Sequence, residues 1–395
     1  MTTSPTKTCF EHFLNHLRRG GRITKMAGVI ASRAPHLAAA LIASGPVILS
    51  GVTADALGKT WDGSTSTDWF TGSNWDHNTA PNSSQNVQIN TTTPNPVTVT
   101  DKTTNGTAQA KLLSLGYAGD GSLTISDGGE MSNTHTYIGH FNSLVGSVEV
   151  TGTGSTLVSS ETLSLGYAGD GSLTISDGGM VSNMMGIIAA YNGATGTAEV
   201  TGTGSTWSNS SNLIVGSSGD GTLTISEDAI VSVSGVTWLG FVSPGSGVLN
   251  IGAAAGDAAV GAGELNTAKV IFGPGTGTIN FNHTDSDYTF SADISGTGSV
   301  NQLSGTTILT GTNTYTGGTI VSGGTLELRG GSALSDSGEI SITGGRLQVT
   351  NSETVGGTTV DGGVLAIEAD ETLTTGAFTL ADGTVMGGTL LGSSY

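Results

Sequence analysis

The sequence predicts an all-β chain wound as a β-solenoid, and three observations carry that expectation. First, a 50-residue unit recurs: LSLGYAGDGSLTISDGG starts at Leu113, returns letter for letter at Leu163, and comes back as LIVGSSGDGTLTIS at Leu213. Residues 113–162 and 163–212 align without a gap and share 31 of 50 positions. Such a period marks stacked units that touch only their neighbours. Second, apolar residues inside the unit alternate with hydroxyl residues. Leu123 and Ile125 point one way, Ser122, Thr124 and Ser126 the other, and Val148 and Val150 flank Glu149 in the same manner. That is the period of half-buried strands. Third, glycine supplies 64 of 395 residues and aromatics are few, a composition poor in helix formers and rich in turn chemistry.

The segment 1–56 stands apart. Lys7, Arg18, Arg19, Arg22, Lys25 and Arg33 precede an apolar run from Leu37 to Leu49, and Ala54-Asp55-Ala56 follows. Basic region, apolar region and small residues come in the order of a secretory signal, with Ala54 and Ala56 as the cleavage residues. The alternative, an uncleaved anchor, is disfavoured by Gly45 and Pro46. The run is also well short of the roughly 20 residues that a spanning helix needs. Cys9, the only cysteine, lies in this leader.

Residues 57–112 hold a lead-in and the first rungs. Trp61, Trp69 and Trp75 are three of the five tryptophans. They read as an aromatic cap over the open end of a stack; the other reading is an exposed platform for sugar rings.

Residues 113–250 carry three copies of the unit, and each copy halves. The strand at Leu123/Ile125 recurs half a unit later as Val148/Val150 and a full unit later as Leu173/Ile175. Each unit is therefore expected to make two rungs, with Leu123, Leu173 and Leu223 in one core stack. Asp120-Gly121, Asp127-Gly128-Gly129 and Thr151-Gly152-Thr153-Gly154 are expected as turns. A β-propeller blade is the competing repeat, disfavoured by the halving and the short strands.

From 251 to 395 the spacing tightens. SGGTLEL starts at Ser322, TGGRLQV at Thr343, DGGVLAI at Asp361 and ADGTVMG at Ala381. The Gly-Gly pairs are expected at corners that need unusual backbone angles. Over the whole chain this gives about 12–15 rungs, at one solenoid repeat each.

Without the leader, six basic residues face 29 acids, a net charge of −23. Nucleic acid is excluded as a partner, because its binding needs basic phosphate contacts. Little chemistry stands out. Asp120, Asp170 and Asp220 precede glycine at one point of each unit, too far apart to share a calcium ion. His135 and His140 become Met185 and Ala190 one unit on. Ser155 and Ser205 sit in GTGST, without a nucleophile-elbow string. Arg329 and Arg346 are the only arginines after the leader. No catalytic, cofactor or metal residue is assigned.

Two stretches resemble known families. GDGSLTISDGG…VSN…GTAEVTGTGSTWSNSSNLIVG resembles the repeat shared by type V secretion (autotransporter) proteins and sorting-tail proteins. Ser295–Gly330, with TGTNTYTGGTIVSGGTL from Thr310, resembles the autotransporter-associated β-strand repeat. The resemblance covers roughly 113–330. It implies an autotransporter passenger, a right-handed parallel β-helix of pectin-lyase-like fold, displayed on or secreted from a Gram-negative cell. It also implies a C-terminal translocator barrel, which is absent here, so the chain reads as truncated or split from it. The leading function is a structural or adhesive passenger with a host surface, matrix, glycan or sister cell as ligand. The alternatives are a polysaccharide lyase-like enzyme on a β-helix and an inert stalk.

Overall fold

The computed structural model describes residues 58–394. The leader, with Ala54 and Ala56, lies outside the described residues, and so does Tyr395. The chain divides between Ala54 and Asp55, and the account below concerns the second unit.

This unit is a parallel β-solenoid of about 12 turns. Each turn in the first part lays three short strands on three faces. Leu112–Leu115, Gly121–Ile125 and Glu130–Asn133 form one turn; His135–Ile138, Val145–Thr151 and the start of Thr156–Leu165 form the next. Strands on one face pair parallel with their counterparts above and below. Thr156–Leu165 and Met180–Ile188 run around the corner between third and first faces and join them into one sheet.

The halving of the unit is borne out. Leu123, Val148, Leu173, Ala198 and Leu223 are successive partners on the second face. Leu123, Leu173 and Leu223 thus share one stack, two turns apart. Alternation buries every second side chain: Leu123, Ile125, Leu173 and Ile175 are at most 1% exposed. Each such side chain contributes about 1.5–3 kcal/mol by leaving water. The interior is not wholly apolar. Where the third face turns into the first, Asn133, Ser159, Asn183 and Asn209 form a buried column. Asn183 Nδ2 donates to Asn209 Oδ1 at 2.7 Å, and Trp207 Nε1 donates to Asn183 Oδ1 at 2.7 Å. These residues look like turn chemistry in a sequence window, but they tie successive turns together from inside.

Two kinds of glycine build the corners, and one differs from expectation. Asp127-Gly128 does turn, with φ of 52° and 74°. Asp120-Gly121 does not: Gly121 opens the strand Gly121–Ile125, and its counterparts Gly146, Gly171, Gly196 and Gly221 stack in register. A Cβ on Gly171 would sit 2.0 Å from Gly166 N and 2.7 Å from Ile138 O. The glycine is required because backbone closes in both from its own turn, at Gly166, and from the neighbouring turn, at Ile138. The left-handed bend lies earlier, at Gly116, Gly139, Gly166, Gly216 and Gly240, with φ between 63° and 73°.

Trp61, Trp69 and Trp75 are 1–2% exposed and pack edge to face, with centroids 4.9 and 4.7 Å apart. Thr98 N donates to Thr67 O at 2.7 Å, and Trp69 N to Thr98 O at 3.0 Å, so this lead-in covers the first strand of the second face, Val97–Val99. Buried rings offer no platform to a sugar.

After Asp293–Ser295 the first face ends, and each turn keeps two strands. Leu326, Leu347 and Leu365 are successive partners, closer in sequence than partners in the wide turns. The Gly-Gly corners are mixed. Gly324 and Gly362 have positive φ, whereas a Cβ on Gly345 would meet Gly323 O at 2.7 Å. Asn313 takes the place of part of the lost face. Its Oδ1 accepts from Ile294 N at 2.7 Å, and its Nδ2 donates to Ala333 O at 2.7 Å, clamping three turns. Glu353, 3% exposed, accepts from Ala333 N at 3.0 Å and Leu334 N at 3.4 Å. Burial pushes its carboxyl above the ordinary value, against the pull of those amides.

Candidate ligand-binding surface

The outward positions differ from face to face. The second face shows Thr124, Glu149, Thr174, Glu199 and Thr224 in one column. A shallow cleft lies over part of it, beside Ala254, Asp257 and Val260. The third face shows Ser182, Ser208 and Ser232, which line a second shallow groove. Where the first face bends into the second, the surface is aromatic.

Tyr117, Phe141, Tyr167 and Tyr191 follow one another, one per turn. Each comes just after the left-handed corner, at Gly116, Gly139, Gly166 and Ala189, so the solenoid pitch brings them to one side in a file: Tyr117 packs on Phe141, Tyr167 on Tyr191, and His140 joins the two pairs. Tyr137 joins from the outer side of the first face. His140 lies among them: its ring is 5.2 Å from Tyr117, 5.0 Å from Tyr137, 4.8 Å from Phe141 and 5.2 Å from Tyr167. His140 Nδ1 is 3.0 Å from Ser114 Oγ. Tyr137 and Tyr167 are 4.5 Å apart, and Tyr167 and Tyr191 meet edge to face at 5.0 Å, with their hydroxyls 3.3 Å apart. Burial raises the Tyr137 phenol above the ordinary range, aided by Tyr191 and Glu161. Burial also raises Tyr167, aided by its bond to Tyr191. These phenols therefore stay protonated donors at neutral pH. Tyr191 is 52% exposed.

The residues singled out in the sequence take other places. Asp120 Oδ1 accepts from Val145 N at 2.8 Å, and Asp170 accepts from the Thr195 hydroxyl, so these acids link adjacent turns at one corner. Asp220 pairs with Thr195 on one side and Ser246 on the other. Among the described residues no group of three or more His, Cys, Asp or Glu side chains could hold a metal ion. His135 faces Glu161 at 3.2 Å, and its ring stacks on Tyr137. His135 and His140 thus belong to one aromatic cluster. Ser155 and Ser205 are buried, and their hydroxyls accept from Gly128 N at 3.2 Å and Gly178 N at 3.1 Å, holding the turn of a neighbouring rung. Arg329 pairs with Glu327, and Arg346 Nε donates to Gln348 at 2.9 Å. The structure does not bring the two arginines together with a set of acids. The aromatic file is missed in a local sequence window because its members are spread from Tyr117 to Tyr191; at half the repeat period they fall in two adjacent columns, Tyr117 and Tyr167 in one and Phe141 and Tyr191 in the other.

The narrow turns supply the family signal. The passenger-associated-transport-repeat family matches residues 304–328, which contain Thr306–Leu309, Thr319–Val321 and Thr325–Leu328. The chain is similar to autotransporter passengers. One relative is the adhesin BmaC autotransporter of Brucella suis biovar 1 (strain 1330), 32% identical over 135 residues, or 34% of this chain and 3% of that protein. Another is the uncharacterized lipoprotein YdeK of Escherichia coli (strain K12), 48% identical over 66 residues, or 16% of this chain and 5% of that protein. The passenger-like chain thus matches only a small part of the length of either relative. Among its described residues no helix is long and apolar enough to cross a membrane, which says nothing of a β-barrel.

Proposed function

We propose that this chain is an exported passenger, displayed at the surface of a Gram-negative cell or released from it, with a structural or adhesive role. One observation carries the reading: the transport-repeat segment is part of the solenoid, its strands Thr306–Leu309 and Thr325–Leu328 paired with each other and its other pairings running in register to the turns on either side. The similarity to an adhesin autotransporter supports the adhesive half. An outer-membrane translocator barrel is the partner that this export route requires. The acidic charge, once the leader is removed, suits a body that remains soluble outside the cell.

The test is export of the full chain from a Gram-negative host with a passenger translocator supplied. The expected material begins at Leu57 and is digested by protease added to intact cells. Cells carrying it should adhere to immobilised matrix, glycan or sister cells. Chain that keeps its leader and stays inside the cell would overturn the reading. Display without adherence to any of these surfaces would leave only the structural role.

A further inference from the structure

Rings from four successive turns gather on one side of the solenoid, although the core beneath them is already closed. Leu115, Ile138, Leu165 and Ile188 are fully buried under that corner. Tyr117, Tyr137, Phe141 and Tyr167 are half-buried, and Tyr191 stands half in water. A contiguous apolar patch that the core does not need marks an interaction site.

We propose that this aromatic file binds a neutral glycan, whose pyranose rings lie along Tyr117, Phe141, Tyr167 and Tyr191. The inference rests on the adhesive reading above and names its ligand class. Turns are spaced by about 4.8 Å, so the file is about 15 Å long, the length of roughly three pyranoses. A pyranose offers a C–H face to an aromatic ring and hydroxyls at its rim. The file offers ring surface together with phenol hydroxyls on Tyr137, Tyr167 and Tyr191 and the Glu161 side chain as an acceptor. Charge selects among glycans. At the cluster Glu161 lies 3.2 Å from the His135 ring, whereas Lys102 and Arg329 pair elsewhere, with Glu130 and Glu327. On a chain this acidic, a polyuronide would be repelled.

The two repeat units differ beneath the file. In the first unit the Ser114 hydroxyl meets the His140 ring. In the second unit Ser164 holds the position of Ser114, and Ala190 replaces His140. The Ser164 hydroxyl is buried without a hydrogen-bond partner, next in the ladder to Tyr137 and on the same turn as Tyr167.

The experiment is affinity electrophoresis of the full chain in native gels containing laminarin, dextran, soluble chito-oligosaccharide or polygalacturonate. At least one neutral polymer should retard the chain, and polygalacturonate should not. Tyr167→Ala with Tyr191→Ala should weaken that retardation about tenfold or more, as loss of aromatic anchors does at a binding site. Tyr167→Phe with Tyr191→Phe keeps the rings and should stay within about threefold of the parent, the worth of a modest hydrogen bond. Thermal melting of each variant separates lost binding from lost fold. Retardation by no neutral polymer would overturn the proposal, and so would equal retardation of parent and alanine variant. An alanine variant that instead loses self-association, or binding to phosphatidylcholine vesicles, with glycan retention unchanged would also overturn it. Adherence of displaying cells is scored alongside. Adherence that survives without glycan binding defeats the ligand assignment alone, whereas failure of export defeats the broader reading.

Discussion

The wide turns before residue 295 and the narrow turns after it solve one stacking problem by different means. A wide turn joins its neighbours through three parallel ladders, and its inward positions on the second face are mostly Leu, Ile or Val. A narrow turn has two ladders, and single side chains fill in for the third: Asn313 bonds to Ile294 and Ala333, and Glu353 bonds to Ala333 and Leu334. Tyr315, 1% exposed, adds a 2.6 Å contact to Thr319 and an edge contact to Phe272 of the last wide turns. Redundant ladders tolerate sequence drift, and the degraded third copy of the unit shows that drift. Two of the single residues that take over in the narrow turns, Asn313 and Tyr315, lie in one string, TGTNTYTGGT.

The largest expected effect is a charge in a wide-turn core. Ile175→Asp places an unpaired carboxylate between Val150 and Val200, at a site 0% exposed. The loss should be of order 3 kcal/mol or more, read as a drop in the melting transition of the wide turns. Gly171→Ala comes next. Its methyl group must displace backbone at Gly166 and Ile138, and a cost of about 1–3 kcal/mol is expected in urea unfolding.

The pH response sharpens the comparison, because two buried groups near the change of width pull in opposite directions. His283, 0% exposed, is held below its ordinary value by burial, which the Asp285 charge only partly offsets. The unfolded chain then takes the proton more readily. This contribution is complete above about pH 6.5 and is lost as pH falls below that value toward the lowered folded one. Glu353 is shifted upward, so the folded chain keeps its proton longer. Its contribution is complete below about pH 4.5 and is lost as pH rises through the folded value. His283→Asn should flatten the acid side of a stability–pH curve, and Glu353→Gln the side above 4.5. Unchanged curves in both variants would refute the assignment. The smallest effect is at the surface. Arg329→Ala breaks a pair with Glu327 whose arginine is 54% exposed, and should change stability by no more than about 0.5 kcal/mol.

How much of this was legible depends on where each constraint originates. The alternation around Leu123 and Ile125 and the halving of the repeat are local or periodic, so they show in a window or an alignment. The role of Gly171 comes from backbone at the corner residue Gly166 and from Ile138 one turn away, and a local window reads Asp-Gly as a bend instead. Asn313 resembles any loop asparagine until the turns on either side are in place. The aromatic file is similar: Tyr137, His140 and Phe141 are close in sequence, but Tyr117, Tyr167 and Tyr191 join them only once the turns are stacked, whereas the tryptophans, dense in sequence, are conspicuous and yet buried. The serines of GTGST were legible as turn residues, but not the bond by which Ser155 holds Gly128.

Hydrogen exchange on the full chain, parent and Asn313→Ala side by side, tests the central contrast most directly. Removing the carboxamide strands Ile294 N and Ala333 O in a buried corner, at about 1–3 kcal/mol for each unpaired group. Because turns communicate only with their neighbours, the loss should stay local. The predicted result is faster exchange over residues 294–350, with protection over 113–250 unchanged. Equal loss of protection in both regions, or none in either, would contradict the division into redundant wide turns and singly clamped narrow ones.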